Sequence, residues 1–509
     1  MVRISRRAIA LAAIGVSLVL VACKVPDLMP SGGDVSPSVS TINKSGATSR
    51  VGTSPSVQWA MAVGDIDAAP DEVDGIAVDN DGNAIVSGVF RGQVNLGART
   101  YASVGGDDIF LASFNSGGQL NWSQAFGGPG RDNTFDLAVD GVGNIYLSGW
   151  FSNAVDFGNQ TLRSRGATDM FVAKYDPGGS LIWARQFGGN QGDGGNEISV
   201  TESGEIAVSL ITEGAVTIDG RDFAYGGGRR DAFVIRMDTN GKVRWVSHVN
   251  SEGTERIRAL DMSPGGDVYV GFQFHRDLRL TGSDGRSRSL TGVGHWNGAL
   301  ARLDPAGRVQ WVLPVMSGEN DNVRGIGVGS DNEIYASGKI QGPATVVDRN
   351  VPLPRKISGD KKGIDYVLKV NKAGEFQWIV GMRSKFKAIG GELVASPQGV
   401  ITSSLQRGGG VLYRMDKTGK PKAMGKIDAS HTAPMAYVMG LSPSGDLRFT
   451  YIPDPVTERS GSFGDTLDRS FNGRYFVQAL RFRDTIRVGG RELSTSSKKD
   501  SAIVFMSLQ

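Results

Sequence analysis

The chain has 509 residues, 72 of them glycine, with 55 basic and 52 acidic side chains, a formal charge of +3. That length exceeds what one hydrophobic core usually supports, so several modules are required. The glycines follow no Gly-X-Y period, which excludes collagen and points to the turns of many short strands. A single cysteine, Cys23, excludes a disulfide-stapled scaffold.

Arg3, Arg6 and Arg7 precede an apolar run, 8–21, that is too short to span a bilayer and fits the h-region of a signal peptide. The run ends Leu20-Val21-Ala22-Cys23, which resembles the lipobox of bacterial lipoproteins. The resemblance implies a signal peptide over 1–22 and a diacylated Cys23 as the first mature residue. Lys24 stands where Asp would signal retention at the inner membrane, so outer-membrane delivery is the expectation. Loss of the three leader arginines leaves 52 basic and 52 acidic residues. A neutral mature chain gives no footprint for nucleic acid. Residues 23–56, rich in Ser, Pro, Gly and Thr, read as a flexible tether.

From residue 57 the chain is repetitive. Asp169 to Phe187, DMFVAKYDPGGSLIWARQF, reads as a strand, a tight turn and a second strand carrying Trp183. In the turn, Asp176 accepts backbone hydrogen bonds, Pro177 fixes φ, and Gly179 permits positive φ. The pattern recurs on Trp122, Trp245, Trp311 and Trp378. A glycine stands four residues before each Trp: Gly118, Gly179, Gly241, Gly307 and Gly374. With Trp59, successive spacings are 63, 61, 62, 66 and 67, the mark of an array of like modules.

Each repeat holds four strands, as in 135–139, 145–151, 170–175 and 181–187. Four-stranded antiparallel modules in series predict an all-β, seven-bladed β-propeller over 57–509. First strands are expected to begin near Val73, Phe135, Glu197, Ile257, Val323, Gly391 and Tyr437. Third strands are expected near Ile109, Met170, Ala232, Ala299, Tyr366, Val411 and Ala502. The last third strand reaches the C-terminus without a partner, and 57–63, with Trp59, is a fourth strand with no blade before it. The N-terminal strand should therefore complete the last blade, hiding both edges. The sixth blade has Ala423 in the Trp position, and 453–474 reads as an insertion in the seventh.

The repeat resembles the SBBP β-propeller family, whose units read like Asp-x-Phe-Val-Ala-Lys-Tyr-Asp, Gly, Trp-Ala-x-x-Phe-Gly-Gly. Asp169 to Gly189 follows this nearly throughout, and Asp108 to Gly128 closely. The resemblance implies a propeller in an exported bacterial protein and implies no reaction.

First-to-second and third-to-fourth turns share one face and are short. Second-to-third connections, 91–107, 152–168, 212–230, 275–297 and 340–363, share the other face with the fourth-to-first ones and read as long variable loops. Function tends to sit on such loops, so a protein or glycan partner is expected there. Residues 64–140 carry 3 basic and 12 acidic side chains, whereas 355–426 carry 15 basic and 5 acidic. This asymmetry reads either as steering toward a polyanion or as solvated strand edges.

No catalytic, cofactor or metal site is assigned. His248, His275, His295 and His431 have no mutual ligand spacing, although His275 and His295 share one connection. Asp79-Asn80-Asp81-Gly82-Asn83 begins like a calcium loop but lacks the acid at its twelfth position and falls where every repeat turns. Asp156-Phe157-Gly158 belongs to the repeat. There is no G-x-S-x-G, P-loop or HExxH. The expected function is a lipid-anchored binding or scaffold propeller of the cell envelope. The first alternative is an outer-membrane assembly factor resembling quinoprotein-type propeller lipoproteins. The second is a glycan-active hydrolase or lyase, which would need carboxylates converging on the axis.

Overall fold

The computed structural model describes residues 55–63, 71–96, 99–249, 253–329, 332–342, 344–347, 363–384, 391–406, 410–417, 421–427, 435–451, 454–455, 461–469, 475–483, 485–489, 491–494 and 500–507. The signal peptide, Cys23, nearly all of the tether and His431 lie outside them. Every regular element among the described residues is a strand, and every strand ladder is antiparallel.

The second repeat shows how one sheet is built. Asp132–Val139, Ile145–Phe151, Asp169–Tyr175 and Leu181–Gly189 pair in succession. The third strand is buried along its whole length. Its alternate residues serve two neighbours: Phe171, Ala173 and Tyr175 join the core with the preceding sheet, and Met170 and Val172 the core with the following one. An apolar strand buried on both faces thus cements three sheets together.

The same order recurs at 72–126, 193–249, 254–316 and 322–384. Each repeat carries two β-bulges. One lies in the first strand, as between Thr134 and Asp136. The other lies in the fourth, where the residue before each Trp is left out of the ladder, as Ile182 is. Bulges add twist, which stacked sheets need.

The Trp and Gly of the sequence repeat meet across sheets. Trp122 Nε1 donates to Pro177 O at 2.9 Å, Trp183 to Thr239 O at 3.2 Å and Trp245 to Pro305 O at 3.0 Å. Trp311 donates to Lys372 O at 3.1 Å and Trp378 to Pro443 O at 3.0 Å. Each indole lies on the turn glycine of the next sheet. A Cβ on Gly307 would sit 2.6 Å from Trp245, and the φ of Gly307 is +81°. The glycine is therefore required twice, for its backbone conformation and for the ring above it. Lys174 Nζ adds a second tie, to Thr239 Oγ1 at 2.8 Å.

Phe-Gly-Gly has an equally local reason. A Cβ on Gly188 would meet the carboxyl of buried Asp169 at 2.5 Å, and one on Gly189 would meet Ala215 O at 2.2 Å. The first glycine makes room for the acid that opens the third strand, and the second for a connection of the next sheet.

The long connections are not open loops. The described ones fold as hairpins or short strands, and three of them pair with the fourth strand of the preceding sheet. Val216 and Thr217 pair with Gly189 and Gly188, Leu280 and Thr281 with Val249 and His248, and Thr345 and Val346 with Met316 and Val315. These straps cover part of an otherwise open edge.

Two corrections follow. Gly410–Asp416 and Pro421–Ile427 are not the third and fourth strands of the sixth repeat. They form an enlarged strap on Phe376–Ser384, with Trp378 opposite Asp416. The sixth sheet is Leu393–Ser396, Gly399–Gln406, Met435–Leu441 and Leu447–Tyr451, so Tyr437 belongs to its third strand. Its turn glycine is Gly445, under Trp378, and Phe449, not Ala423, takes the Trp position. Residues 453–474 are likewise not a simple insertion. Gly461–Arg469 is the first strand of the terminal sheet and pairs with Tyr475–Arg483. That sheet continues through Asp500–Ser507 to Ser56–Val63, with Trp59 opposite Phe505.

Candidate functional site at the central cavity

First strands of six sheets enclose one cavity of about 200 Å³, lined from Ile76 and Val78 round to Leu393 and Ala395. Five of the six carry a bulge. The positions left out of the ladder hold Asp74, Phe135, Asn196 with Glu197, Arg258 and Arg324. Asp136, Glu197, Asp261 and Glu392 converge on the cavity from four different sheets.

Two of these carboxylates are occupied by neighbouring backbone. Asp136 accepts from the amides of Ile198 and Leu137, both at 2.8 Å, and so ties the second sheet to the third. Asp261 accepts from Met262 N at 2.8 Å, Ser199 Oγ at 2.9 Å and Val328 N at 2.9 Å, which links the third, fourth and fifth sheets. Burial pushes the Asp136 carboxyl up to about 7, against the pull of those two amides. Glu197 is driven well above the carboxylate range, by burial first and then by Asp136 and Glu392, while Arg258 and Arg324 oppose the shift. Burial, with Arg324 and Arg256 nearby, lowers Arg258 to about 10. The cavity therefore holds mixed charge at close quarters, the environment in which carboxyl groups hold protons near neutral pH.

Beside it, on the side of the long connections, lies a cleft of about 460 Å³ between the second, third and fourth sheets. Phe135 and Trp150 form part of its lining, with Arg230, Arg256 and Arg258 and the glycine backbone of 192–195. Arg230 pairs with Glu213, its Nη2 2.8 Å from Oε1. Arg256 lies over the Trp296 ring, 5.4 Å from its centroid.

The residues singled out from sequence are structural here. His248 Nε2 lies 3.0 Å from Oδ2 of buried Asp231, and its ring stacks on Phe233 at 4.3 Å. It does for Asp231 what Gln186 does for Asp169. His275 and His295 lie on strands, not in a loop, and His275 is paired with Trp296. Asp79 Oδ1 accepts from Asp81 N at 3.0 Å and Asn83 N at 2.7 Å, closing a turn. Phe157, of Asp156-Phe157-Gly158, packs on Phe126 at 5.1 Å. Among the described residues no group of three His, Cys, Asp or Glu side chains is placed to hold a metal ion. Sequence reasoning missed the arginines and acids of the first strands. The one signal was charge inside a short inner strand, Glu255-Arg256-Ile257-Arg258.

A model of the SBBP β-propeller repeat matches residues 121–150, so the chain carries a repeat of that family. The regulatory protein FlaEY of Caulobacter vibrioides is 27% identical over 205 residues, covering 38% of this chain and 21% of that relative. The chain thus matches about a fifth of the relative's length. A protein of unknown function from Dyadobacter fermentans superposes with a TM-score of 0.39 at 10% identity, covering 89% of this chain and 99% of its own. An ulvan lyase of polysaccharide lyase family 25 gives 0.32 at 12% identity, covering 78% and 94%.

Proposed function

We propose that the chain is a seven-bladed wheel closed by strand 56–63, tethered through an acylated Cys23 to the outer membrane of a bacterial envelope. We read it as a binding or scaffold module for a protein or glycan partner taken on the face of the long connections. The continuity of the cores carries this reading. Each sheet shares a core with the next, and the sheet of 500–507 shares one with the first through Trp59, Phe505, Val73, Phe110 and Phe114. A framework of that kind holds a surface site rigid. The anchor rests on Leu20-Val21-Ala22-Cys23. The membrane is then a partner in this reading, and neither nucleic acid nor a cofactor enters it. In the native host, the wild-type chain should take up labelled palmitate and fractionate with the outer membrane. Cys23→Ala should abolish both, and unchanged membrane retention of that variant would contradict the anchor. An assembly factor for outer-membrane proteins is the same reading with its partner specified.

A second reading, a glycan-active hydrolase or lyase, draws on Glu197. Burial, with Asp136 and Glu392 beside it, raises this carboxyl, the direction a general acid requires. Reducing-end release from envelope polysaccharide that disappears in Glu197→Gln would favour it. Equal release from both proteins would remove it.

A further inference from the structure

The cleft beside the central cavity is built differently from the rest of the wheel. At the first-strand bulge the other described repeats carry Asp74, Asn196, Arg258 and Arg324, whereas the second carries Phe135, 38% exposed. Nothing in the fold requires an exposed aromatic ring there. Trp150 is the one partly exposed side chain of an otherwise buried strand. Unlike the Trp of the fourth strands, it holds no neighbouring turn. Both rings line the cleft.

The charge on the same walls is also unusual. Arg230 has Glu213 as a partner. Among the described residues Arg256 and Arg258 make no ion pair. Arg256 Nε is buried without a hydrogen bond, and Arg258 Nη2 reaches only Gln273 Oε1, at 3.5 Å. Guanidinium groups crowd together: Arg229 and Arg230 bear on Arg256, and Arg324 and Arg256 on Arg258. Two carboxyl groups face them from the cleft walls, Glu213 and the buried Asp193, and Glu197 and Glu392 offset part of the Arg258 charge from the neighbouring cavity. Guanidinium forks beside aromatic faces suit a ligand with both anionic groups and flat apolar surface. The glycine backbone of 192–195 leaves room for close approach. A volume of about 460 Å³ is that of a small-ligand site, not of a protein interface.

We propose that this cleft binds a short acidic oligosaccharide, its carboxylate or sulfate groups held by Arg256 and Arg258 and its sugar faces stacked on Trp150 and Phe135. The inference rests on the reading of the wheel as a binding module and supplies a ligand class for it. An acidic peptide would satisfy the guanidinium groups but has no repeated flat face for two aromatic rings.

The test is calorimetric titration of the full chain in detergent with a galacturonic acid trisaccharide and a sulfated trisaccharide. A neutral trisaccharide and tri-glutamate serve as comparators. One or both acidic sugars should bind, at least tenfold tighter than either comparator. The paired change Arg256→Gln with Arg258→Gln should weaken binding tenfold or more, and Phe135→Ala, at an exposed position that leaves the fold intact, about fivefold. Whichever acidic sugar binds more tightly identifies the anionic group. Equal binding of the neutral sugar, tighter binding of tri-glutamate, undiminished binding by the Phe135 variant, or no binding by the wild type would each overturn the proposal. A chain that binds no sugar but keeps its Cys23-dependent membrane retention loses the cleft's ligand and not the anchored module.

Discussion

From 120 to 384 one sheet grips the next by the same device, an indole donating to the carbonyl of the following turn and lying on its glycine. The join between the terminal and first sheets lacks it. Trp59 stacks on Phe505, at 5.3 Å and 2° between planes, and its Nε1 is buried with no partner among the described residues. The strand that carries Trp59 is held to 500–507 by a ladder of seven residue pairs within the terminal sheet, and that sheet meets the first through the shared core. The difference teaches that repeated neighbours are held by an indole latch and a backbone strap, whereas the two ends of the chain are joined by a full strand ladder.

That contrast can be broken at several points. Removing residues 56–63 should have the largest effect, because it bares the edge of 500–507 and opens the core around Phe505. The expected outcome is loss of the folded monomer by size exclusion and circular dichroism. A truncated chain that melts like the wild type would refute a role for the join. Gly307→Val should cost about 3 kcal/mol in denaturant unfolding, since it sets a β-branched residue at φ +81° against the Trp245 ring.

The paired changes Trp245→Phe and Trp59→Phe sharpen the comparison. Both lose similar ring volume, but only the first loses a hydrogen bond, to the Pro305 carbonyl. Trp245→Phe should therefore be the more destabilising by about 1–2 kcal/mol. Equal losses would mean that the latch hydrogen bond contributes nothing.

The acids at the sheet junctions give the smallest effect and one of definite sign. Burial, with Asp108 nearby, pushes Asp132 from 3.8 up to about 7. Neither oxygen reaches a donor in good hydrogen-bond geometry, although the Gly128 and Ser152 amides lie near enough to offset part of the cost. The folded chain binds this proton more tightly than the unfolded one. Its contribution to stability is thus full below pH 3.8 and is lost as pH rises through about 7. Melting temperature should fall over that window, and Asp132→Asn should flatten the fall.

Much of this was legible in sequence, and the failures have local causes. The period of Trp and Gly reports a contact between successive modules, so it predicts sheets wherever the contact exists. It misleads near the C-terminus because a strap imitates a repeat. Residues 410–427 read as strand, turn and strand, whereas the true sixth hairpin, 435–451, has Ser442 in place of the turn Asp and Phe449 in place of Trp. Gly461–Arg469 went unseen because GSFGDTLDR has too few apolar residues to show as a strand. The cavity and cleft could not be read at all. Asp136, Glu197 and Glu392 meet only through the stacking of sheets, and no spacing along the chain announces that.

Amide hydrogen exchange resolved along the full chain tests the join most directly. If the wheel is sealed as proposed, amides of 56–63 should be protected as strongly as those of 181–189, and 500–507 should exchange only with global unfolding. Exchange of 56–63 at the rate of a free peptide, with 181–189 still protected, would contradict the account.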